Sequence, residues 1–227
     1  MAEFFIDSAT VTSRVIERLR EDIISKRIET GSRITIKEIA ERYNVSSMPV
    51  REAFRTLEGE KLLEINAYKG ATVLTIDEMF VRDVYNLLKA LELCIYESAL
   101  RDVDEAFLAR LRQMNDQIRA LEDTQEDRMK YINLNTLFHD EIMKRATNSK
   151  AVGLYHYYHM LVRTLRRSYI PRIQRIRKGV REHDGILNAL EEKDTYMLKL
   201  AVDRHIESAM VDFLGQYDES LGKARGE

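Results

Sequence analysis

The stretch VSSMPVREAFRTLEGE, Val45 to Glu60, decides how the first third of the chain is read. At 100° per residue, Val50, Ala53, Phe54 and Leu57 fall on one inward face of a helix. Ser47, Arg51 and Arg55 then form a ridge at i, i+4 and i+8 beside it. A helix built only for packing has no need of arginines at successive turns of one flank, next to a polar entrance. Pro49 costs nothing in a first helical turn, where its missing N–H has no intrahelical partner, and it fixes the entry angle. Ser46 or Ser47 is expected to cap that turn. The positive helix end and its free amides favour a phosphate, while an arginine on the ridge reaches base edges in a major groove. The alternative is an ordinary solvated face, with Arg51 and Arg55 paired to Glu52 or Glu58.

The flanking sequence supports the first reading. Upstream, Thr10 to Lys26 has helical period, with Val11, Val15, Leu19 and Ile23 on one face, and Gly31 breaks the pattern. Thr35 with Glu38 three residues later is a capping box, opening a short second helix that reaches Tyr43 and closes at Asn44. Downstream, LLEINAYKGATVLTI changes to an extended period and predicts two short strands around a Tyr68-Lys69-Gly70 turn. Three helices and a β-hairpin make a winged helix-turn-helix. Lys69 and Gly70 place a cation and a closely approaching backbone at the hairpin tip. After Asp77 only helical patterns follow, over 77–101, 104–121, 126–147, 149–169, 172–192 and 194–221. The expected fold is mainly α, with a domain at 1–76 and an all-helical domain at 77–227.

Composition limits the function classes. The chain has 227 residues, 33% charged and 44% hydrophobic, with only 2 prolines and 9 glycines, as suits a core-forming protein of long helices. No apolar run approaches the ~18 residues needed to cross a bilayer, and the N-terminus MAEFFIDSAT does not read as a secretory signal. The expected location is the cytoplasm, with no membrane partner. The one cysteine, Cys94, is read as a buried small hydrophobe. Net charge is −2, zero up to Leu74 and −2 after it, so any attraction for DNA must come from local placement.

Residues 10–75 resemble the DNA-binding domain of the GntR family. That family has a glycine before the second helix, a run like VSRTPVREAL, and a glycine in the wing. The counterparts here are Gly31, VSSMPVREAF from Val45 to Phe54, and Gly70. The resemblance implies Arg51 as the base-reading arginine, Lys37 as a phosphate contact and Gly70 as a wing contact. Where this chain has Ser47 the family usually has arginine. The loss of that bidentate donor implies altered preference at one base pair of each half-site.

Five histidines punctuate the chain. His156 and His159, at i and i+3, are read as structural. The remainder of the chain, about residues 77–221, resembles the all-helical FCD effector domain of a subgroup of GntR regulators. Such domains commonly hold a metal with an aspartate one turn before a histidine, the histidine of a Glu-His pair, and a third histidine beyond it. Here His139 and His183 are 44 residues apart, and His183 and His205 are 22 apart. Asn135 stands at the aspartate position and brings an amide oxygen without a charge. The resemblance thus implies a divalent ion on Asn135, His139, His183 and His205. Zinc is the first choice, with nickel or another transition metal as alternatives. An open coordination position beside cations suits a carboxylate effector, with Lys89, Arg163 and Arg167 as candidate partners.

The expected function is a ligand-responsive transcription regulator, a repressor, binding a palindromic operator as a homodimer. Two other classes compete with it. A metal-dependent hydrolase could use the three-histidine site, but Asp140 and Glu141 point off the metal face and leave it without a general base. A helical interaction module would show no salt-dependent DNA binding.

Overall fold

The structure is a computed structural model that describes residues 10–225 apart from 68, 167 and 168; beyond Tyr217 only the backbone of the last helix is described. The chain divides into two compact units, one containing the described residues up to Asp77 and the other Glu78–Tyr217.

In the first unit, α1 (Val11–Ile24) begins at Thr10, whose hydroxyl accepts from the Ser13 amide. Val15, Leu19 and Ile23 are buried as the periodicity predicts. Val11, in the first turn, is 48% exposed. The capping box is formed in full: the Thr35 amide donates to Glu38, and the Glu38 amide donates to the Thr35 hydroxyl. It opens α2 (Ile36–Tyr43), which ends at Asn44 in the left-handed conformation (φ 52°). Next comes α3 (Ser47–Gly59), with Val50, Ala53, Phe54 and Leu57 packed inward.

The wing has one strand more than the sequence predicts. A two-residue strand, β1 (Arg33–Ile34), precedes α2 and pairs antiparallel with β3 (Gly70–Val73), which in turn pairs with β2 (Leu63–Asn66). The sheet order is β1-β3-β2. Two residues are too short to show a period, which is why β1 is not legible beforehand. Its approach explains Gly70: φ is +89°, and a Cβ there would stand 2.3 Å from the Ile34 carbonyl oxygen.

Two buried charge clusters hold these helices together. Arg20 donates twice to Glu60 (2.7 and 2.5 Å), joining α1 to the end of α3. Asp22 accepts from Tyr43 (2.8 Å) and Arg27 (2.7 Å), joining α1 to α2. Breaking a buried pair by removing one partner costs about 3–5 kcal/mol, since the other charge is left stranded.

The second unit contains α4 (Glu78–Ala99), a 3-10 turn (Leu100–Asp102), α5 (Glu105–Arg119), α6 (Gln125–Met143), α7 (Ser149–Leu165), α8 (Ile173–Glu192) and, as far as Tyr217, α9 (Thr195–Arg225). Asp104, Thr124 and Asn148 cap α5, α6 and α7 through their side chains. α4 packs on α7 and α6, and α5 packs on α8 and α6. None of the described helices is long and apolar enough to cross a membrane.

Cys94 corrects an expectation, for it is exposed. The buried stripe of α4 runs through Leu88, Glu92, Ile95 and Tyr96, and this rotation places position 94 outside and a carboxylate inside.

Candidate functional site

On α3, Arg51 and Arg55 are exposed, as are Ser46 and Ser47 at its entrance. Ser46 occupies the N-cap position with extended backbone but makes no side-chain cap bond, contrary to the capping expected of it. The first-turn amides therefore stay open to an anion at the positive end of the helix. Arg55 is 3.3 Å from Glu52, an exposed pair worth little in water. Arg51 makes no ion pair with the described residues. Lys37 is exposed, with Glu41 3.9 Å away. Lys69 is exposed in the hairpin turn, where its carbonyl accepts from Arg33. Arg20, Arg27 and Arg42 are instead spent on Glu60, Glu21 and Asp22. Residues 1–74, with no net charge, thus keep exposed cations where the reading helix and hairpin tip present them.

In the second unit, α6, α8 and α9 bring His139, His183 and His205 into one buried triangle. Their ring centroids are 5.2, 5.0 and 5.0 Å apart, and one nitrogen of each lies within 4.8 Å of the others. Outer groups decide which nitrogen that is. Asn115 on α5 donates its amide hydrogens to the Val180 carbonyl (3.1 Å) and to Asp184 (2.8 Å), so its oxygen must face His183 Nδ1, 3.1 Å away. That nitrogen therefore carries the proton, and Nε2 keeps its lone pair. His205 Nδ1 is 3.2 Å from Glu182 Oε2, which also accepts from Arg175 at 2.9 Å. His139 Nδ1 is 2.5 Å from the Tyr96 hydroxyl and 3.2 Å from Glu92 Oε1. All three rings are held at Nδ1, which leaves Nε2 for the centre, as in metal-binding histidines.

Burial pushes His183 well below the usual histidine range, with His205 and His139 adding to the effect. Burial also lowers His205, although Glu182 opposes it. Burial alone would raise Glu92, but His139 holds it below the usual carboxylate range; His205 and Arg175 do the same for Glu182. His183 and His205 are thus held neutral, with ionised carboxylates behind the rings.

Buried atoms of this unit without a hydrogen-bond partner include His183 Nε2, both Glu92 carboxylate oxygens, Glu182 Oε1 and, one turn before His139, Asn135 Oδ1. All are acceptors. Leaving a buried acceptor unmet costs about 1–3 kcal/mol, and a cation held among the three rings would satisfy His183 Nε2. The residues present therefore fit a divalent ion.

Three cations are expected beside this centre. Lys89 pairs with Asp203 at 2.8 Å, Arg163 is exposed, and Arg167 lies outside the described residues. The buried cation is Arg175, 6% exposed, while Arg166 pairs with Asp212 at 3.2 Å and Arg177 donates to carbonyls at the end of α5. His159 stacks on Tyr155, and burial, with His139 adding, brings its pKa down to about 4. Sequence reasoning also missed Glu92, Asn115 and Glu182, which hold the rings. A carboxylate on the apolar stripe of α4 was the available signal for Glu92.

Comparison with known proteins agrees with both halves of this picture. Residues 11–73 match the model of the bacterial regulatory proteins of the gntR family, and residues 83–208 match that of the FCD domain. The chain belongs to the gntR family and carries an FCD domain. It is 27% identical over 198 residues to the HTH-type transcriptional repressor RspR of Escherichia coli K12, covering 87% of this chain and 86% of that one. It is 26% identical over 202 residues to a probable D-xylose utilization operon transcriptional repressor of Paenarthrobacter nicotinovorans, covering 87% and 86%. The structure of Lar, described as controlling expression of the Listeria monocytogenes agr system, superposes with a TM-score of 0.69 at 14% identity, over 90% of this chain and 97% of that one. At that identity the likeness speaks for the fold.

The gntR family and these relatives are regulators of transcription, so the hydrolase alternative falls and DNA is the macromolecular partner. Glu141, considered as a base, is engaged by Arg110 and Lys144.

Proposed function

We propose that the chain is a metal-containing, effector-responsive repressor that binds a palindromic operator as a homodimer. In this reading residues 1–76 contact DNA and 77–227 sense the effector. Arg51 reads a base edge, Arg55 and the open amides at Ser46 and Ser47 hold phosphates, and Lys37, Lys69 and Gly70 lie along the backbone. The repressor sign follows the relatives named as repressors. A regulator of chromosomal DNA works in the cytoplasm.

The observation that carries the sensing half is the orphaned His183 Nε2 in a triangle of oriented histidines, with Asn135 Oδ1 also unpartnered one turn before His139. Asn135, His139, His183 and His205 would hold the ion, zinc by preference for a nitrogen-rich set. When bound, the ion supplies a Lewis acid with open positions for an anionic oxygen. Around it the chain's residues hold the rings at Nδ1, bury them and exclude water. Arg175, rather than Lys89 or Arg163, is the buried cation positioned to favour a carboxylate there. Since linkage is reciprocal, an acid that releases the operator must bind the operator-bound protein less tightly.

A thermal-shift screen of small carboxylates with and without Zn2+ or Ni2+ tests this reading, followed by operator mobility shifts with the hits. Stabilisation by a carboxylate only with metal, coupled to operator release, is the expected result. Metal-free protein after gentle purification that also takes up none on readdition would sink the metal assignment.

A further inference from the structure

The first turn of α3 carries an apolar side chain that the first unit does not use. Met48, the second residue of the helix, is 64% exposed, more than any other large apolar side chain among the described residues of that unit. A lone exposed methionine elsewhere on a surface calls for no explanation. Here its direction does. At about 100° per residue, Val50, Ala53, Phe54 and Leu57 lie roughly 140–240° round the helix from Met48, so the buried face is opposite it. Met48 therefore stands at the middle of the outward face. It does so at the end of the helix where a helix-turn-helix presents side chains to base edges.

Resting on the reading of α3 as the helix that enters the major groove, we infer that Met48 reads the C5-methyl group of a thymine in each half-site. On the outward face its neighbours are charged. Arg51 and Arg55 lie within about 60° of it on one side and Glu52 within about 40° on the other, with Arg55 3.3 Å from Glu52. The arginines suit phosphate and guanine. A thioether is only a weak acceptor and has nothing to offer either. In the major groove guanine, cytosine and adenine present hydrogen-bonding groups, and thymine alone adds a methyl. That methyl is the one apolar partner the groove supplies for a methionine pointed into it. The side chain is unbranched, with three rotatable bonds, and follows the groove floor without a fixed shape of its own.

Ser47 fits the same picture. Its short side chain leaves neither bulk nor a second cation beside Met48 in the first turn. The altered preference expected from Ser47 thereby gains a direction, toward a T·A pair. Arg51 is three residues further on, a rise of about 4.5 Å, against about 3.4 Å for one base step. The thymine is therefore expected within one or two base pairs of the pair that Arg51 contacts.

The test begins with duplexes that the full-length protein selects from a random-sequence pool. Each thymine of the selected half-site is then replaced in turn, in both halves, by deoxyuridine, which pairs alike but lacks the methyl. At one thymine the change should weaken wild-type binding about fourfold per half-site, the worth of one buried methyl-sized group. Met48→Ala should bind the thymine and uracil duplexes equally there, and Met48→Leu, which keeps an apolar tip, should still tell them apart. A melt checks that the variants are folded, and the wild-type comparison needs no variant. A selected half-site without a preferred thymine, a wild type indifferent to every methyl, or a folded Met48→Ala protein as sensitive as wild type overturns the assignment. Arg51→Ala, measured alongside, separates this from the reading beneath it. Weakened binding by Arg51→Ala with no methyl effect removes the Met48 contact alone, whereas unchanged binding removes α3 as the reading helix and this inference with it.

Discussion

Asn115→Ala offers the sharpest check on how the histidine centre works. Asn115 is 1% exposed, and its oxygen is the group that faces His183 Nδ1. In the variant with metal bound, His183 must keep its proton on Nδ1 with no acceptor, and stranding a buried donor costs about 1–3 kcal/mol. Without metal, the ring can move its proton to Nε2 and escape that cost. The penalty therefore falls on the metal-bound state, and the lower half of that range, about 1.4 kcal/mol, is a tenfold loss of affinity. Outer-shell changes of this kind typically cost about 10–100-fold, so a loss of 10-fold or somewhat more is expected. Competition against a chromophoric chelator measures it. Asn115→Asp restores an acceptor toward His183 but sets a carboxylate against Asp184 and the Val180 carbonyl. It should recover part of the affinity although it is the more disruptive change to the fold, which a merely structural role for Asn115 would not allow. Wild-type affinity in a folded Asn115→Ala protein would refute the idea that this amide sets the tautomer.

Other predictions concern the DNA-binding unit. Arg51→Ala should weaken operator binding by about 1–3 kcal/mol and leave the melting temperature within a degree or two, since Arg51 is exposed; a mobility shift and a melt together check both halves. Ser47→Arg restores the donor usual in the gntR family and should sharpen discrimination at one base pair per half-site. Unchanged preference across a library of operator variants would count against it. The Glu38 carboxyl is held below its usual range by the Thr35 hydroxyl and amide. A depressed carboxyl contributes stability that is present above its unfolded pKa and is lost as pH falls through the folded one. The melting-temperature gap between wild type and Glu38→Ala should therefore be open at pH 7 and narrow steadily in acid; a gap independent of pH would contradict the capping-box account.

The sequence by itself determined most of the secondary structure and the inward face of α3, because helical period, the capping box and the change of period at the hairpin are local signals. It also named the histidines, although only resemblance linked three of them, since 44 and 22 residues of intervening chain carry no geometry. The tertiary structure alone decided what no local pattern encodes. It brought three helices to one buried point, turned Glu92 inward and Cys94 outward on α4, and added β1 to the wing. It also split the arginines of α7 and α8 between exposed Arg163 and buried Arg175. The physical reason is common to all four cases. Period fixes which residues share a face, but the partner packed against that face decides whether a charge at its edge is sealed in, paired or left in water.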